Sequence, residues 1–559
     1  MSTSNWWMFH GDPAHTGLVT GSGITSKNVA RLKLLHDVRI PGPVLSVPAI
    51  VDGYVYVGLA NSQEVAGATG GTFLKIKAST GRIERKFEWA IAPQEGDSHG
   101  FMGMGCTPAV TGGKVYFSAF NGKLYCLDQE TLKPAWITDL RHSDLAHNQP
   151  VSNTLLWNAG DPPAAGWSSP LVVNGNVYVG IGEGENPALF GFVFCLDAQT
   201  GNVKWIYCTC QFNQGVPNAP NMLPPAVLFQ QTPPPPPFSM GPVNPVVRGC
   251  SVWSSIAYDA SLNRLYCATG NPAPDGVLPT NGFSNGILSL DAATGAYKGF
   301  FQAPPESSYR ATDADVDFGG SPTVITLKGR RVVAAGCKNG GFFLLDADSL
   351  KLLLPPRQLL PYYNNGKQIP TVDPHVDGSN NQLDPMVPNK ASDEIDQENY
   401  SGTYSTPAVH TKLGRFFIGV GGNNYHNVAA GIDFTTTPFL RALDCNTLKD
   451  AWPMDNHDPR RYKNARPPMY TTPGESGLSS PAVVNDVVFC STSLVAVYAF
   501  DARTGKMLWQ DRLGEQTGGM NGGYGYCLGP AVAGNYVVAG ALVFGKKGGG
   551  VLRIYTLKP

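Results

Sequence analysis

The stretches SSPLVVNGNVYVGIG (residues 168–182) and FVFCLDAQTGNVKW (residues 192–205) together form one unit of a repeat. A small-Pro-small opening leads through a polar turn to a β-branched run, and an apolar run then ends at Asp197 and a Thr-Gly turn. An aspartate before a turn accepts backbone N–H groups, and glycine supplies the positive φ. Trp205, which follows, is large enough to fill the gap between neighbouring sheets. The unit predicts one blade of four short antiparallel strands.

The same opening recurs along the chain, so the unit is counted by its prolines. They are Pro48, Pro108, Pro170, Pro322, Pro407, Pro481 and Pro530. The segment from Trp253 to Asp259 occupies the equivalent place between Pro170 and Pro322 without a proline. Eight units predict an all-β fold, an eight-bladed β-propeller of four-stranded antiparallel blades.

The last unit ends at Leu557 without room for a fourth strand, whereas residues 30–38 form a strand-like run without a unit of their own. We therefore predict that this N-terminal strand joins the C-terminal blade and closes the ring, which removes an exposed edge. Residues 1–559 then form a single domain. Long insertions fall mostly between units and predict a lid over one face; they lie near 141–167, 211–248, 355–400 and 456–477.

Composition agrees with this fold and excludes several partners. The chain has 65 glycines, 46 prolines and 15% charged residues, whereas about 25% charged residues is typical. A net charge of −1 gives no reason to expect nucleic acid or an anionic membrane as a partner. No apolar run approaches the length of a membrane span. The first residues lack the basic start and apolar core of a signal peptide.

Two short motifs point to a known family. Ser251-Val252-Trp253 precedes Asn271 at a fixed separation, and Trp7-Met8-Phe9 lies near the start of the chain. With the repeats, these segments resemble the quinoprotein alcohol dehydrogenase propellers, and most of all their polyvinyl alcohol dehydrogenase-like branch. The resemblance implies oxidation of an alcohol group, in a small molecule or a polymer, with pyrroloquinoline quinone (PQQ) and Ca²⁺. It also implies an external electron acceptor such as a cytochrome c and a periplasmic or secreted location, although a cytoplasmic one stays open.

The resemblance assigns the cofactor residues one by one. Trp253 corresponds to the tryptophan on which the quinone lies, and the Ser251 hydroxyl could donate to a cofactor carboxylate. Lys338, in Cys337-Lys338-Asn339-Gly340, corresponds to the lysine or arginine that reaches the quinone oxygens. Cys106 lies near the place where relatives carry two adjacent cysteines above the quinone.

The metal ligands implied by the resemblance are Glu185, with Glu183 as the fallback, Asn271 and Asp317. Asp317 is also the implied catalytic base. Gly319 stands where lanthanide-dependent relatives have a second aspartate, so the implied ion is calcium.

These roles also make chemical sense without the family resemblance. Carboxylate and amide oxygens are the ligands that a hard divalent cation prefers, and such an ion would polarise a quinone carbonyl. Lys338 would stabilise negative charge on the reduced oxygens, and Asp317 would take the hydroxyl proton.

Three departures keep other functions open. The second adjacent cysteine is missing, and the glutamate and arginine that anchor the cofactor in relatives are replaced by Leu45 and, approximately, Thr111. The chain could therefore be a non-redox propeller that binds partners. It could also be a quinone-free enzyme that reuses the carboxylates and Lys338.

Overall fold

The structure, a computed structural model, describes most of the ring. The described residues are 5–62, 70–90, 101–140, 166–182, 191–209, 250–270, 283–303, 317–338, 340–359, 363–364, 367–368, 403–420, 439–452, 479–492, 496–512, 529–543 and 549–557.

Eight sheets form the blades, which are numbered here by the chain order of their innermost strands. The strands, from the innermost outward, are Ala49–Val51, Tyr54–Ser62, Gly70–Lys77 and Arg82–Ala90 in blade 1; Ala109–Thr111, Lys114–Ser118, Lys123–Asp128 and Pro134–Asp139 in blade 2; Leu171–Val173, Asn176–Ile181, Phe192–Asp197 and Val203–Cys208 in blade 3; and Ala257–Asp259, Arg264–Ala268, Gly286–Asp291 and Tyr297–Gln302 in blade 4.

The remaining strands complete the ring. They are Thr323–Leu327, Arg330–Gly336, Gly341–Asp346 and Arg357–Gln358 in blade 5; Ala408–His410, Arg415–Gly419 and Leu440–Asp444 in blade 6; Ala482–Val484, Val487–Ser491, Ala496–Asp501 and Met507–Arg512 in blade 7; and Ala531–Ala533, Tyr536–Val543, Gly549–Leu557 and Leu32–Ile40 in blade 8. Outside this order lie the strands Leu18–Val19 and Phe101–Gly103, a hairpin of Tyr363–Asn364 and Lys367–Gln368, and a 3-10 helix at Val29–Arg31. The described part of the chain contains no helix that could span a lipid bilayer.

The predicted closure of the ring is confirmed. Leu32–Ile40 pairs antiparallel with Gly549–Leu557, and Leu32 lies opposite Leu557. The strand begins two residues later than predicted because residues 29–31 form the 3-10 helix. The first and last parts of the chain therefore share one sheet.

Only parts of the predicted insertions lie within the described residues. Arg357–Gln358 pairs with Gly341–Phe342 as the outermost strand of blade 5. The first residues of the segment predicted as an insertion at 355–400 therefore belong to a blade. The predicted lid segments 211–248 and 456–477 lie wholly outside the described residues.

The Asp–turn–Trp pattern packs blade 2 against blade 3, and Trp205 and Trp452 cover Gly295 and Gly505 in the same way. Asp197 Oδ1 accepts the backbone N–H groups of Gln199 and Thr200 at 3.0 Å. Gly201 follows at φ 75°, and a Cβ there would lie 2.6 Å from the indole of Trp136 in blade 2. The tryptophan of one blade thus covers the glycine turn of the next, as the repeat predicts, and only glycine leaves it room.

An N-terminal strap, residues 5–19, runs along the inner strands of six blades. Trp6 forms a bridge with Ile50 in blade 1. Backbone carbonyls further along the strap accept N–H groups from the inner strands: Trp7 from Val110 at 2.7 Å, Pro13 from Tyr258 at 2.7 Å, Ala14 from Val324 at 2.8 Å, Thr16 from Val409 at 2.8 Å and Gly17 from Val483 at 2.7 Å. Each donor is the second residue after the repeat proline or its equivalent, so the strap pairs the edges that the inner strands would otherwise leave open.

Two buried histidines fix the strap against the ring. His15 is fully buried, its Nδ1 lies 3.0 Å from the carbonyl oxygen of Pro322, and its Nε2 has no hydrogen-bond partner within the described residues. Burial first, and then the neighbouring His10, lowers the pKa of His15 from 6.5 to about 3. Burial also lowers the pKa of His10 to about 4, although the carbonyls of His15 and Pro481 act in the opposite direction.

We expect His15 to make the protein less stable as the pH falls below 6.5. The unfolded chain binds a proton on this residue at a higher pH than the folded chain does, so protonation favours unfolding. At pH 5 the loss relative to pH 7 is about 2 kcal/mol from this residue. Urea unfolding of the wild type and of His15→Asn at both pH values measures it. A free-energy difference between the two proteins that is the same at pH 5 and pH 7 would contradict the expectation.

Candidate functional site at the hub of the ring

A belt of hydrogen bonds links the blades around the central channel. The bonds involve the residue that directly precedes the repeat proline of a blade, or precedes Ile256 in blade 4. The backbone N–H of this residue donates to the side-chain hydroxyl of the corresponding residue in the next blade. The pairs are Thr107 to Ser169 at 2.9 Å, Ser169 to Ser255 at 3.2 Å, Ser255 to Ser321 at 2.8 Å, Ser321 to Thr406 at 2.9 Å and Thr406 to Ser480 at 2.9 Å. This hydroxyl belt, residues 107, 169, 255, 321, 406 and 480, fixes blades 2 to 7 in register.

The residue two places before each belt residue defines what we call the hub position. In blades 3, 4 and 6 it holds an aromatic residue, namely Trp167, Trp253 and Tyr404, and each is half-buried. In blades 2 and 5 it holds Gly105 and Gly319. The hub position therefore presents three partly exposed aromatic rings.

Trp253 is connected to the predicted catalytic carboxylate. Its Nε1–H donates a hydrogen bond of 2.9 Å to Oδ2 of Asp317, which is fully buried at the start of blade 5. The indole therefore has a fixed orientation and keeps part of its surface exposed. The sequence predicted both residues but not the bond between them.

Lys338 lies against the same two groups. Its Nζ is 2.8 Å from Oδ1 of Asp317 and 4.9 Å from the centre of the Trp253 ring. The backbone N–H of Lys338 also donates to the Asp317 carbonyl at 2.9 Å. Only 6% of Lys338 is exposed, so the ion pair and the cation–π contact both act at a site largely removed from water.

Ser251 provides a buried hydroxyl beside this cluster. It is 1% exposed, and its Oγ has no hydrogen-bond partner within the described residues. A Cβ on Gly270 would lie 2.6 Å from this Oγ and 3.2 Å from Asp317 Oδ2, and a Cβ on Gly182 would lie 2.7 Å from Ser251 Cβ. A buried hydroxyl between two glycines fits a polar group of a bound ligand, because unpaired buried polar groups are costly.

The predicted metal ligands are described only in part. Asp317 lies within the described residues, whereas Glu185, its fallback Glu183 and Asn271 lie outside them. Gly270, which directly precedes Asn271, approaches the Asp317 carboxylate. Within the described residues no group of three His, Cys, Asp or Glu side chains could hold a metal ion. The predicted three-residue set therefore stays a prediction.

Cys106 directly follows the hub position of blade 2 and is buried. It is 1% exposed, its thiol donates to the carbonyl of Ser118 at 3.2 Å, and burial raises its pKa to about 11. The Trp167 ring packs on the preceding residue, Gly105, because a Cβ on that glycine would lie 2.6 Å from the indole. The structure thus places an aromatic ring beside this cysteine, and the role of Cys106 toward a cofactor stays a prediction.

Tyr404 is the site residue that the sequence reasoning missed. Its ring centre lies 5.1 Å from Lys338 Nζ and 6.5 Å from the centre of the Trp253 ring. The signal was present in the repeat, because Tyr404 stands three residues before Pro407 and Trp253 stands three residues before Ile256. Comparing this position across all eight units would have found it.

Two protein-family models match parts of this chain. The family described as the glucose/ethanol/alcohol dehydrogenase β-propeller domain matches residues 163–355, which include Trp253, Asp317 and Lys338. The family described as outer membrane protein assembly factor BamB matches residues 44–207 and 440–554.

Among curated relatives, a quinohemoprotein alcohol dehydrogenase from Comamonas testosteroni is 28% identical over 406 residues, which are 66% of this chain and 49% of the relative. Quinohemoprotein alcohol dehydrogenase ADH IIB from Pseudomonas putida is 26% identical over 83% of this chain and 63% of its own length. The chain thus matches less than two thirds of either relative.

Solved structures share the fold at lower identity. A europium-containing methanol dehydrogenase superposes with a TM-score of 0.67 at 18% identity, covering 100% of this chain and 98% of that one. The Comamonas testosteroni quinohemoprotein alcohol dehydrogenase superposes with a TM-score of 0.64 at 20% identity, covering 100% of this chain and 81% of that one.

Proposed function

We propose that this PQQ-dependent alcohol dehydrogenase-like β-propeller oxidises an alcohol group with bound PQQ and Ca²⁺ and passes the electrons to an external acceptor. One observation carries the proposal: a partly exposed Trp253 ring, the buried Asp317 carboxylate and the Lys338 ammonium are in mutual contact at the hub. The relatives named as alcohol dehydrogenases support the same reaction class.

Each residue has a part in this reaction. The quinone, when bound, supplies the acceptor for the hydride of the alcohol. Trp253 would support its planar face, since offset stacking favours aromatic surfaces, and Ser251 would donate its buried hydroxyl to a cofactor carboxylate. Asp317 would accept the proton of the substrate hydroxyl, and Lys338 would stabilise negative charge nearby.

We place the ion beside Asp317, with Glu185 and Asn271 as its other ligands. Gly319 supports calcium over an ion that needs another carboxylate. A Cβ at residue 319 would lie 2.8 Å from the Thr403 carbonyl oxygen and 2.9 Å from Tyr404 Cα, so an acidic side chain there would displace blade 6. A hard cation bound by oxygen ligands matches this donor set.

The proposal also includes the substrate, the electron acceptor and the location of the protein. The substrate is a small or polymeric alcohol, as in the polyvinyl alcohol dehydrogenase-like branch, the acceptor is a protein such as a cytochrome c, and the location is periplasmic or secreted. These assignments rest on the family resemblance. The hub residues do not distinguish one alcohol from another.

Reconstitution tests the proposal. The purified chain is incubated with PQQ and Ca²⁺, freed of unbound quinone, and assayed for dye reduction with a panel of alcohols. We expect quinone absorbance and calcium to remain with the protein and the dye to be reduced only when an alcohol is present. Retained metal without quinone would favour a quinone-free enzyme, and retention of neither would favour a binding propeller.

A further inference from the structure

We infer that Tyr404 is a positioning residue whose ring holds the Lys338 ammonium beside Trp253, where the cofactor would lie. The inference rests on the proposed function and adds to it a residue of blade 6. Its evidence is the set of contacts that Lys338 makes at the hub.

Lys338 Nζ lies between two aromatic rings and one carboxylate. It is 5.1 Å from the centre of the Tyr404 ring, 4.9 Å from that of Trp253 and 2.8 Å from Asp317 Oδ1. Lysine has four flexible side-chain torsions, so one carboxylate alone would fix its ammonium poorly. The two rings limit the ammonium to one place.

The position of the Tyr404 ring is itself fixed by the neighbouring blade. Cδ1 of Tyr404 lies 3.1 Å from the point that a Cβ on Gly319 would occupy. The tyrosine therefore rests on a glycine, as Trp167 rests on Gly105. The hydroxyl belt further fixes blade 6 against blade 5, because the Ser321 N–H donates to Thr406 at 2.9 Å.

The contact is strong enough to measure. A cation–π pair gains more when it is removed from water, and the Lys338 side chain is 7% exposed. Loss of the Tyr404 ring should therefore weaken the binding of PQQ roughly 3- to 30-fold by releasing Lys338. The phenol hydroxyl is not needed for this effect, so phenylalanine should replace tyrosine.

The test is a double-mutant cycle read by titration of the protein with PQQ and Ca²⁺, followed by tryptophan fluorescence. We expect Tyr404→Leu to weaken binding and Tyr404→Phe to stay within about twofold of the wild type. In a Lys338→Met background, Tyr404→Leu should have almost no further effect, since both changes remove the same interaction. Equal effects of Tyr404→Leu in the two backgrounds would overturn the inference.

Trp167→Leu is the matched control. It removes the aromatic ring at the same hub position of blade 3, whose described contacts are with Gly105 and Phe120. Its effect should be the same with and without Lys338→Met. A coupling as large as that of Tyr404 would show that any hub aromatic acts on Lys338 indirectly, and would overturn the specific role of Tyr404.

A second measurement separates this inference from the proposed function. In protein labelled at lysine ¹³Cε, the signal lost in Lys338→Met identifies Lys338, and two nearby rings should shift it from the position of exposed lysines. Without any quinone, Tyr404→Leu should move this signal and Tyr404→Phe should leave it in place. If the wild type fails to bind PQQ, the proposed function fails, and this signal alone supports or overturns the positioning of Lys338.

Discussion

Replacement of Asp317 by asparagine should lower PQQ-dependent alcohol oxidation by roughly 10²- to 10⁴-fold, the usual contribution of a general base. Asparagine keeps an oxygen that can accept the Trp253 Nε1–H, so the indole should stay in place. It cannot take up the hydroxyl proton, and it leaves the Lys338 ammonium without its carboxylate. The measurement is the initial rate of dye reduction per molecule of bound quinone.

Asp450→Asn is the control for loss of a buried carboxylate. Asp450 lies 2.8 Å from Arg357 and also pairs with Arg441, in an ion cluster that involves the outer part of blade 5. Burial tends to raise its pKa, but the two arginines outweigh this and hold the pKa below the ordinary value. Breaking such a buried pair costs about 3–5 kcal/mol of stability and should leave the rate per bound quinone unchanged. An Asp317→Asn protein that oxidises alcohol within tenfold of the wild-type rate would exclude Asp317 as the base.

Replacement of Trp253 by alanine should weaken the binding of PQQ by about 100-fold, equivalent to about 2.7 kcal/mol. The change removes the aromatic surface and the N–H group that orients Asp317. Titration monitored by quinone absorbance in the presence of Ca²⁺ gives the dissociation constant. Trp253→Phe should retain most of the affinity, because it keeps a ring, but should lower the turnover rate.

Trp136→Ala provides the matched control. This tryptophan is also half-buried, and its Nε1–H also donates a hydrogen bond, to the Ala198 carbonyl at 3.3 Å. It lies on blade 2 and covers the Gly201 turn of blade 3 rather than the hub. We expect it to lower stability without changing the affinity for PQQ. Equal losses of affinity in the two alanine variants would mean that Trp253 acts through folding alone.

The repeat in the sequence predicted the ring because each unit is local. The contacts that define a blade involve residues of one unit or of two consecutive units, such as the Asp197 turn, Gly201 and the tryptophan that covers this glycine. The spacing of these residues in the sequence therefore predicts the contacts. The closing strand was predicted because the last unit lacked one.

The strap could not be predicted in the same way. Its carbonyls pair with residues such as Val110 and Val483, which are far apart in sequence, and its backbone has no regular period. Gly17, at φ 62°, reads as an ordinary turn glycine, yet a Cβ there would lie 2.6 Å from the His10 ring. Contacts of this kind depend on where the finished ring puts its edges.

In the candidate site too, residues signalled within one repeat unit were predicted, whereas contacts between distant units were not. Trp253, Asp317 and Lys338 were predicted from short motifs, and the structure brings all three into contact. The contacts of Lys338 and Trp253 with Tyr404 need blade 6 to face blade 4 across blade 5, which a motif within one unit does not contain. Glu185 and Asn271 remain predictions from the family spacing alone.

The pairing of Leu32–Ile40 with Gly549–Leu557 has a consequence for biosynthesis. Leu32–Ile40, the outermost strand of blade 8, is translated long before its partner Gly549–Leu557, so it stays unpaired until that partner has been made. The strap cannot complete its pairing early either, since Val483, the partner of Gly17, emerges only after six blades have been made. Such long-range pairing slows folding, and we expect nascent chains released before residue 549 to remain sensitive to proteases and to depend on chaperones.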